Sequence, residues 1–138
     1  MPTGYSGTPL AKKLGVKDGQ RTWRSNMPST VAREIALSGV RPALLKSPVS
    51  GLEMAHIFVT SRGDLAKLLG ELRTVLEPDG MIWVSWPKKA SKVATDVNED
   101  DIRAEAFPLG LVDVKVCAVD ETWSGLKIVI RKKERTKA

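Results

Sequence analysis

The stretch MAHIFVTSRGDLAKLLGELRTVLEPDGMIWVSW, residues 54–86, decides the fold. It opens on a compact apolar run, Met54 to Thr60, of the kind that forms a buried central strand. Ser61 is placed to cap a helix, with Asp64 three residues on to meet the opening N–H groups. Leu65, Leu68, Leu69, Leu72, Val75 and Leu76 then recur at three- and four-residue spacing, one continuous apolar stripe. Glu77-Pro78-Asp79-Gly80 is expected to end that helix and turn the chain. Met81 to Trp86 reads as a second apolar strand, closed by Pro87. Strand, long amphipathic helix, strand is the unit from which parallel α/β sheets are built.

Toward the C-terminus, Lys88 to Val97 reads as a polar loop. Asn98, Glu99, Asp100 and Asp101 then place acids at the positive end of a helix carrying Ile102, Ala106 and Leu109. Pro108 and Gly110 mark its disrupted end. Leu111–Val119 and Gly125–Ile130 are strands, and Asp120–Ser124 between them is too short for a helical crossover, so they should pair antiparallel. Toward the N-terminus, Pro9 fits the first turn of a short helix whose Leu10, Ala11 and Leu14 share a face and whose stop is Gly15. Gln20–Ser25 occupies the place of a first strand, although its Gln-Arg-Thr-Trp-Arg-Ser is more polar than buried parallel strands usually are. Ser29 or Thr30 should cap a helix through Val31, Ile35 and Leu37 to Gly39. Ala43-Leu44-Leu45 reads as a short strand before a loop at 47–51.

At 138 residues the chain is expected to be a single α/β domain, 1–138, with residues 1–8 a glycine- and serine-bearing leader and 131–138 a basic tail. Neither a signal peptide nor an apolar run near the roughly eighteen residues of a membrane span is visible, which points to the cytoplasm. The lone Cys117 excludes an internal disulfide and any multi-cysteine metal site. The net charge of +6 is concentrated: Arg131, Lys132, Lys133, Arg135 and Lys137 stand against Glu134 alone, which leaves about +2 on the body. Such a tail attracts phosphate backbones in some proteins and is a solvated end in most.

The order strand, helix, Glu-Pro-Asp-Gly, strand, helix, antiparallel hairpin resembles the second half of class I S-adenosylmethionine-dependent methyltransferases over residues 54–131. Leu72 to Gly80 looks like the leucine-rich helix end and Pro-Gly turn that precede their fifth strand. The chain is also similar to a bacterial family of small proteins, a domain of unknown function. That similarity rests on Gly4-Tyr5-Ser6-Gly7-Thr8-Pro9-Leu10-Ala11-Lys12-Lys13-Leu14-Gly15, on Trp86-Pro87-Lys88-Lys89-Ala90-Ser91 and on Val119-Asp120-Glu121-Thr122-Trp123-Ser124-Gly125-Leu126-Lys127. The resemblance implies a three-layer, shortened methyltransferase-like Rossmann sheet, mostly parallel, with a C-terminal antiparallel hairpin. It assigns no activity.

Methyltransferases of this class hold their cofactor with a Gly-x-Gly loop after the first strand and an acid at the end of the second. Here the corresponding segments are Ser25-Asn26-Met27-Pro28-Ser29, without glycine, and Lys46-Ser47-Pro48, without an acid. No cofactor, catalytic residue or metal site is therefore expected. Asp96, Glu99, Asp100 and Asp101 lack the alternation and central glycine of a calcium loop, His56 has no triad around it, and Cys117 lies inside an apolar strand.

The carboxyl ends of parallel strands remain the ligand-prone place of such folds. Three loops should meet there and bring together Arg62, Trp86, Lys88, Lys89, Ser91, Asp120, Glu121 and Trp123. Cations beside an indole face suit a small anionic or nucleotide-like molecule. The competing expectation is that Lys88 and Lys89 pair with Asp120 and Glu121 on a solvated rim. Sequence favours a non-catalytic role in small-ligand sensing or protein interaction. The alternatives are an enzyme binding S-adenosylmethionine unconventionally, and nucleic-acid binding through the tail with Lys88, Lys89 and Lys92. A homo-oligomer is compatible with all three.

Overall fold

The computed structural model describes residues 8–135; residues 1–7 of the expected 1–8 leader and the last residues of the tail, 136–138, lie outside them. The elements run α1 (Leu10–Leu14), β1 (Arg21–Ser25), α2 (Ser29–Ala36), β2 (Ala43–Leu44), β3 (Leu52–Phe58), α3 (Arg62–Val75), β4 (Leu76–Pro87), α4 (Glu99–Ala106), β5 (Leu111–Ala118) and β6 (Trp123–Ile130). The sheet order is β2-β1-β3-β4-β6-β5. The first four strands are parallel, and β6 lies antiparallel between β4 and β5. This is the α/β architecture with a C-terminal antiparallel hairpin anticipated above.

Each face of the sheet has its own core, which makes three layers. On one face Leu65, Leu69 and Leu72 of α3 and Ile102 and Ala106 of α4 pack on Ala55, Ile57, Ile82, Val84, Leu126 and Ile128. On the other, Leu10 and Leu14 of α1 and Val31 and Ile35 of α2 pack on Met54, Phe58 and Trp83. Each fully buried leucine of α3 contributes roughly 2 kcal/mol of apolar burial. Trp83 is completely buried, and its indole N–H donates to the Leu14 carbonyl at 2.7 Å, pinning the end of α1 to the centre of the sheet.

The caps explain where the helices begin. Ser61 accepts from the Asp64 N–H. Asn98 and Asp101 form a reciprocal capping box at the start of α4. Gly15 ends α1 with φ 78°. Two expectations need correction. Pro9 precedes α1 rather than opening it. Pro28, not Ser29 or Thr30, stands at the N-cap of α2, with no side-chain cap.

The Glu77–Gly80 segment also behaves differently from a turn. Leu76 pairs with Leu52 and Met81 with Met54, so four residues of β4 are looped out against Glu53 alone. The loop passes so close to the sheet that a Cβ on Gly80 would lie 2.7 Å from Leu76 Cδ1 and 3.1 Å from the Glu53 carbonyl oxygen.

β1 joins the sheet despite its polarity, between β2 and β3. Alternation is the reason. Trp23 meets the α3–α4 core, whereas Thr22 and Arg24 pair with Met54 and His56 and share the α1–α2 face with them. The buried Thr22 hydroxyl is satisfied by the Gln20 carbonyl at 2.9 Å. Among the described residues no helix is long and apolar enough to cross a membrane.

Candidate functional site

The carboxyl ends of β3 and β4 and the β5–β6 turn sit at one end of the sheet. Two of the three expected loops are joined there: the Lys88 N–H donates to the Thr122 carbonyl at 2.7 Å. Asp120 shapes the second loop, its Oδ1 accepting the N–H groups of Thr122 and Trp123 at 2.8 Å each. Ser91 shapes the first, its hydroxyl donating to the Lys88 carbonyl at 2.7 Å in the 3-10 turn Lys89–Ser91. Lys88 is partly buried, and Lys89 and Glu121 are exposed. Among the described residues neither lysine forms an ion pair with Asp120 or Glu121.

The third loop turns elsewhere. The Thr60 carbonyl accepts from Thr95 Oγ1 and the Asp96 N–H, and the Arg62 N–H donates to Asp96 Oδ1 at 2.7 Å. The Arg62 guanidinium bridges to Asp101 at 3.3 Å and Glu105 at 3.1 Å on α4. Arg62 thus fastens α3 to α4. The two tryptophans are also separated. Trp86 is buried in the α3–α4 core, whereas Trp123 lies on the opposite face, half-buried and edge-on to Phe58 with ring centroids 5.0 Å apart.

The sequence reading missed a polar track crossing the sheet on the α1–α2 face. Arg24 of β1 pairs in register with His56 of β3, and His56 Nε2 shares a 2.7 Å hydrogen bond with Ser85 Oγ of β4. His56 is 1% exposed and Ser85 fully buried. Burial first, and then the positive charge of Arg24, pushes the His56 pKa down to about 3, so the ring is neutral under ordinary conditions. Among the described residues its Nδ1 has no hydrogen-bond partner. The ring lies against Phe58, centroids 4.5 Å apart. Both groups of the Ser–His pair are shut away from solvent among the described residues. The available signal was the spacing of Arg24 and Thr22, two polar residues on one face of a strand that ought to be apolar.

Cys117 is partly buried, and that burial raises its pKa against the opposing pull of Lys13 and Lys115. The thiol is accordingly a weak nucleophile. The base of the tail is not a free end. Arg131 stacks over Phe107 with its guanidinium carbon 4.5 Å from the ring centroid, and Arg135 Nε donates to the Ile130 carbonyl at 2.7 Å.

The residues where a methyltransferase holds its cofactor do not fit S-adenosylmethionine. After β1 the chain passes through Ser25-Asn26-Met27-Pro28 straight into α2, and the one left-handed residue there, Asn26 at φ 56°, carries a side chain where glycine would admit a close backbone approach. β2 ends at Leu44 and is followed by Leu45 and Lys46, a cation where a ribose-binding acid would stand.

Comparison with known proteins agrees with the fold. The model of the family described as "Protein of unknown function (DUF3052)" matches residues 56–132, more than half of the chain. The chain belongs to that family. No curated protein matches it by sequence. Among solved structures, precorrin-6y C5,15-methyltransferase from Geobacter metallireducens is similar with a TM-score of 0.58 at 10% identity, covering 88% of this chain and 85% of that one. Magnesium protoporphyrin IX methyltransferase from Synechocystis, with bound SAM, gives 0.56 at 11% identity, over 88% and 74%. The mitomycin 7-O-methyltransferase MmcR gives 0.61 at 12% identity, over 88% of this chain and 53% of its own, so the DUF3052 chain spans about half of that enzyme. Identities this low speak for a shared methyltransferase-like fold and nothing more.

Proposed function

We propose that the protein is a non-catalytic binder of a small anionic, nucleotide-like ligand, carried on a methyltransferase-like fold. The observation that supports this most is the joined pair of loops, Trp86–Ser91 and Asp120–Ser124. Their backbones are tied, the Asp120 carboxylate is spent on two N–H groups, and the ammonium groups of Lys88 and Lys89 have no ion-pair partner among the described residues. In this reading Lys88 and Lys89 meet the anion and the half-exposed Trp123 ring offers a stacking face. Asp120 and Ser91 hold the loop shapes, Glu121 stands at the rim, and Arg62 and Trp86 brace the flanks. The nucleic-acid alternative draws less support, because Arg131 and Arg135 already engage Phe107 and the Ile130 carbonyl.

Thermal unfolding with inorganic phosphate, AMP, ATP and S-adenosylmethionine tests the reading. A nucleotide at a hundredfold excess over its Kd should stabilise the fold by about 2.7 kcal/mol. Replacing both lysines, Lys88→Gln with Lys89→Gln, should abolish the shift without lowering the unliganded midpoint. No shift with any of these compounds, or an equal shift in the double variant, overturns it.

A further inference from the structure

A second feature lies on the α2 face of the sheet edge that β1 and β2 form. β2 leads to β3 through residues 45–51 without a helix, so among the described residues the α2 face of the sheet edge is covered by α2 and residues 40–42. The Arg41 N–H on Asp18 Oδ1 and the Gly19 N–H on the Arg41 carbonyl place this segment beside the chain entering β1, at the amino ends of the strands. Between them is a cleft of about 280 Å³ whose walls include Arg24, Ile35, Ala36, Val40, Arg41 and Leu44. Leu44, a large apolar side chain, is 58% exposed there.

The chemistry of the walls is uneven. Two arginines, Arg24 and Arg41, line the cleft, no carboxylate is among its described lining residues, and neither arginine makes an ion pair among the described residues. Arg24 has been drawn partly out of water, enough for burial to lower its pKa. Its neighbour in register, His56, is neutral and offers no counter-charge. A partly desolvated cation without a partner is costly unless an anion joins it. The remaining surface is aliphatic.

We infer that this cleft binds a small amphipathic anion, its carboxylate or phosphate on Arg24 and Arg41 and its apolar body across Ile35, Ala36, Val40 and Leu44. The volume falls just under the range of about 300–1,000 Å³ typical of ligand pockets, which selects a short chain or a single ring. This site is separate from the Lys88–Lys89 loops, and neither reading depends on the other.

Calorimetric titration of the whole chain with octanoate and with phenyl phosphate tests the inference, with octanol and inorganic phosphate as controls. Octanoate or phenyl phosphate should saturate at one molecule per chain, weaken as salt is added, and outcompete both controls. Arg41 is exposed, so Arg41→Gln should fold normally and weaken binding about tenfold, the cost of a lost charged hydrogen bond. Arg24→Gln should abolish it, and Leu44→Asp should weaken it by repelling the headgroup. Lys88→Gln with Lys89→Gln should leave it unchanged. The inference is overturned if neither anion binds, if octanol binds as well as octanoate, or if Arg41→Gln binds unaltered. Loss of binding in the double lysine variant overturns it equally, since that would put the anion at the Lys88–Lys89 loops.

Discussion

The imidazole of His56 lies between Arg24 and Ser85 with its pKa pushed down to about 3, while in the unfolded chain it titrates near its ordinary value of about 6.5. As pH falls the unfolded state takes the proton first. The contribution to stability is complete above the unfolded value and is lost progressively between there and about 3. The slope approaches about 1.4 kcal/mol per pH unit in the middle of that window. Urea unfolding at pH 7, 6 and 5 should show this loss in the native protein and its absence in His56→Gln. Parallel curves for the two would mean that the ring is not shielded as described. This residue was visible in the sequence only as a lone histidine without a triad. Its partners come from β1 and β4, twenty-nine residues away in the case of Ser85, and no local pattern announces them. Arg24 was hidden for a different reason: side-chain polarity in β1 argued against burial, and only the alternation across a paired strand reconciles the two.

Among the elements, the helices with side-chain caps were the easiest to read. Ser61 with Asp64 and Asn98 with Asp101 start α3 and α4 where a short polar side chain precedes an apolar stripe. The start of α2 was misplaced because Pro28 sets the backbone there without any capping hydrogen bond. Glu77–Gly80 looked like a turn because Pro-Asp-Gly generally makes one. It is a looped-out stretch of β4, held by pairing on both sides. Two glycines within this crossover should answer substitution in opposite senses. Gly80→Ala meets Leu76 and the Glu53 carbonyl and should destabilise by about 1–3 kcal/mol. Gly70 lies inside α3 with open space where its Cβ would stand, so Gly70→Ala should stabilise by about 0.5–1 kcal/mol. Urea midpoints moving the same way for both would contradict the assigned register of β3 and β4.

For the whole molecule, the order of strands and helices from residue 54 to residue 131 was legible because each segment carries its own period and its own cap. The sheet's other half was harder. β2 has two residues, too few to show any period, and β1 is polar. The candidate site was legible as a set of loops but not as a geometry. Trp86 and Trp123 stand at the adjoining ends of β4 and β6 yet face opposite sides of the sheet, and Arg62 is drawn to α4 by Asp101, an acid the sequence had already spent on capping, and by Glu105.

The central claim is the proposal that the methyltransferase-like scaffold lacks the grip on the methyl donor: Asn26 carries a side chain in the turn after β1, and Lys46 stands where an acid is needed. Isothermal titration of the protein with S-adenosylmethionine addresses it directly. The account predicts no saturable heat at micromolar concentrations, with any weak signal removed by Lys88→Gln and Lys89→Gln together. Stoichiometric micromolar binding that survives those two substitutions would contradict it.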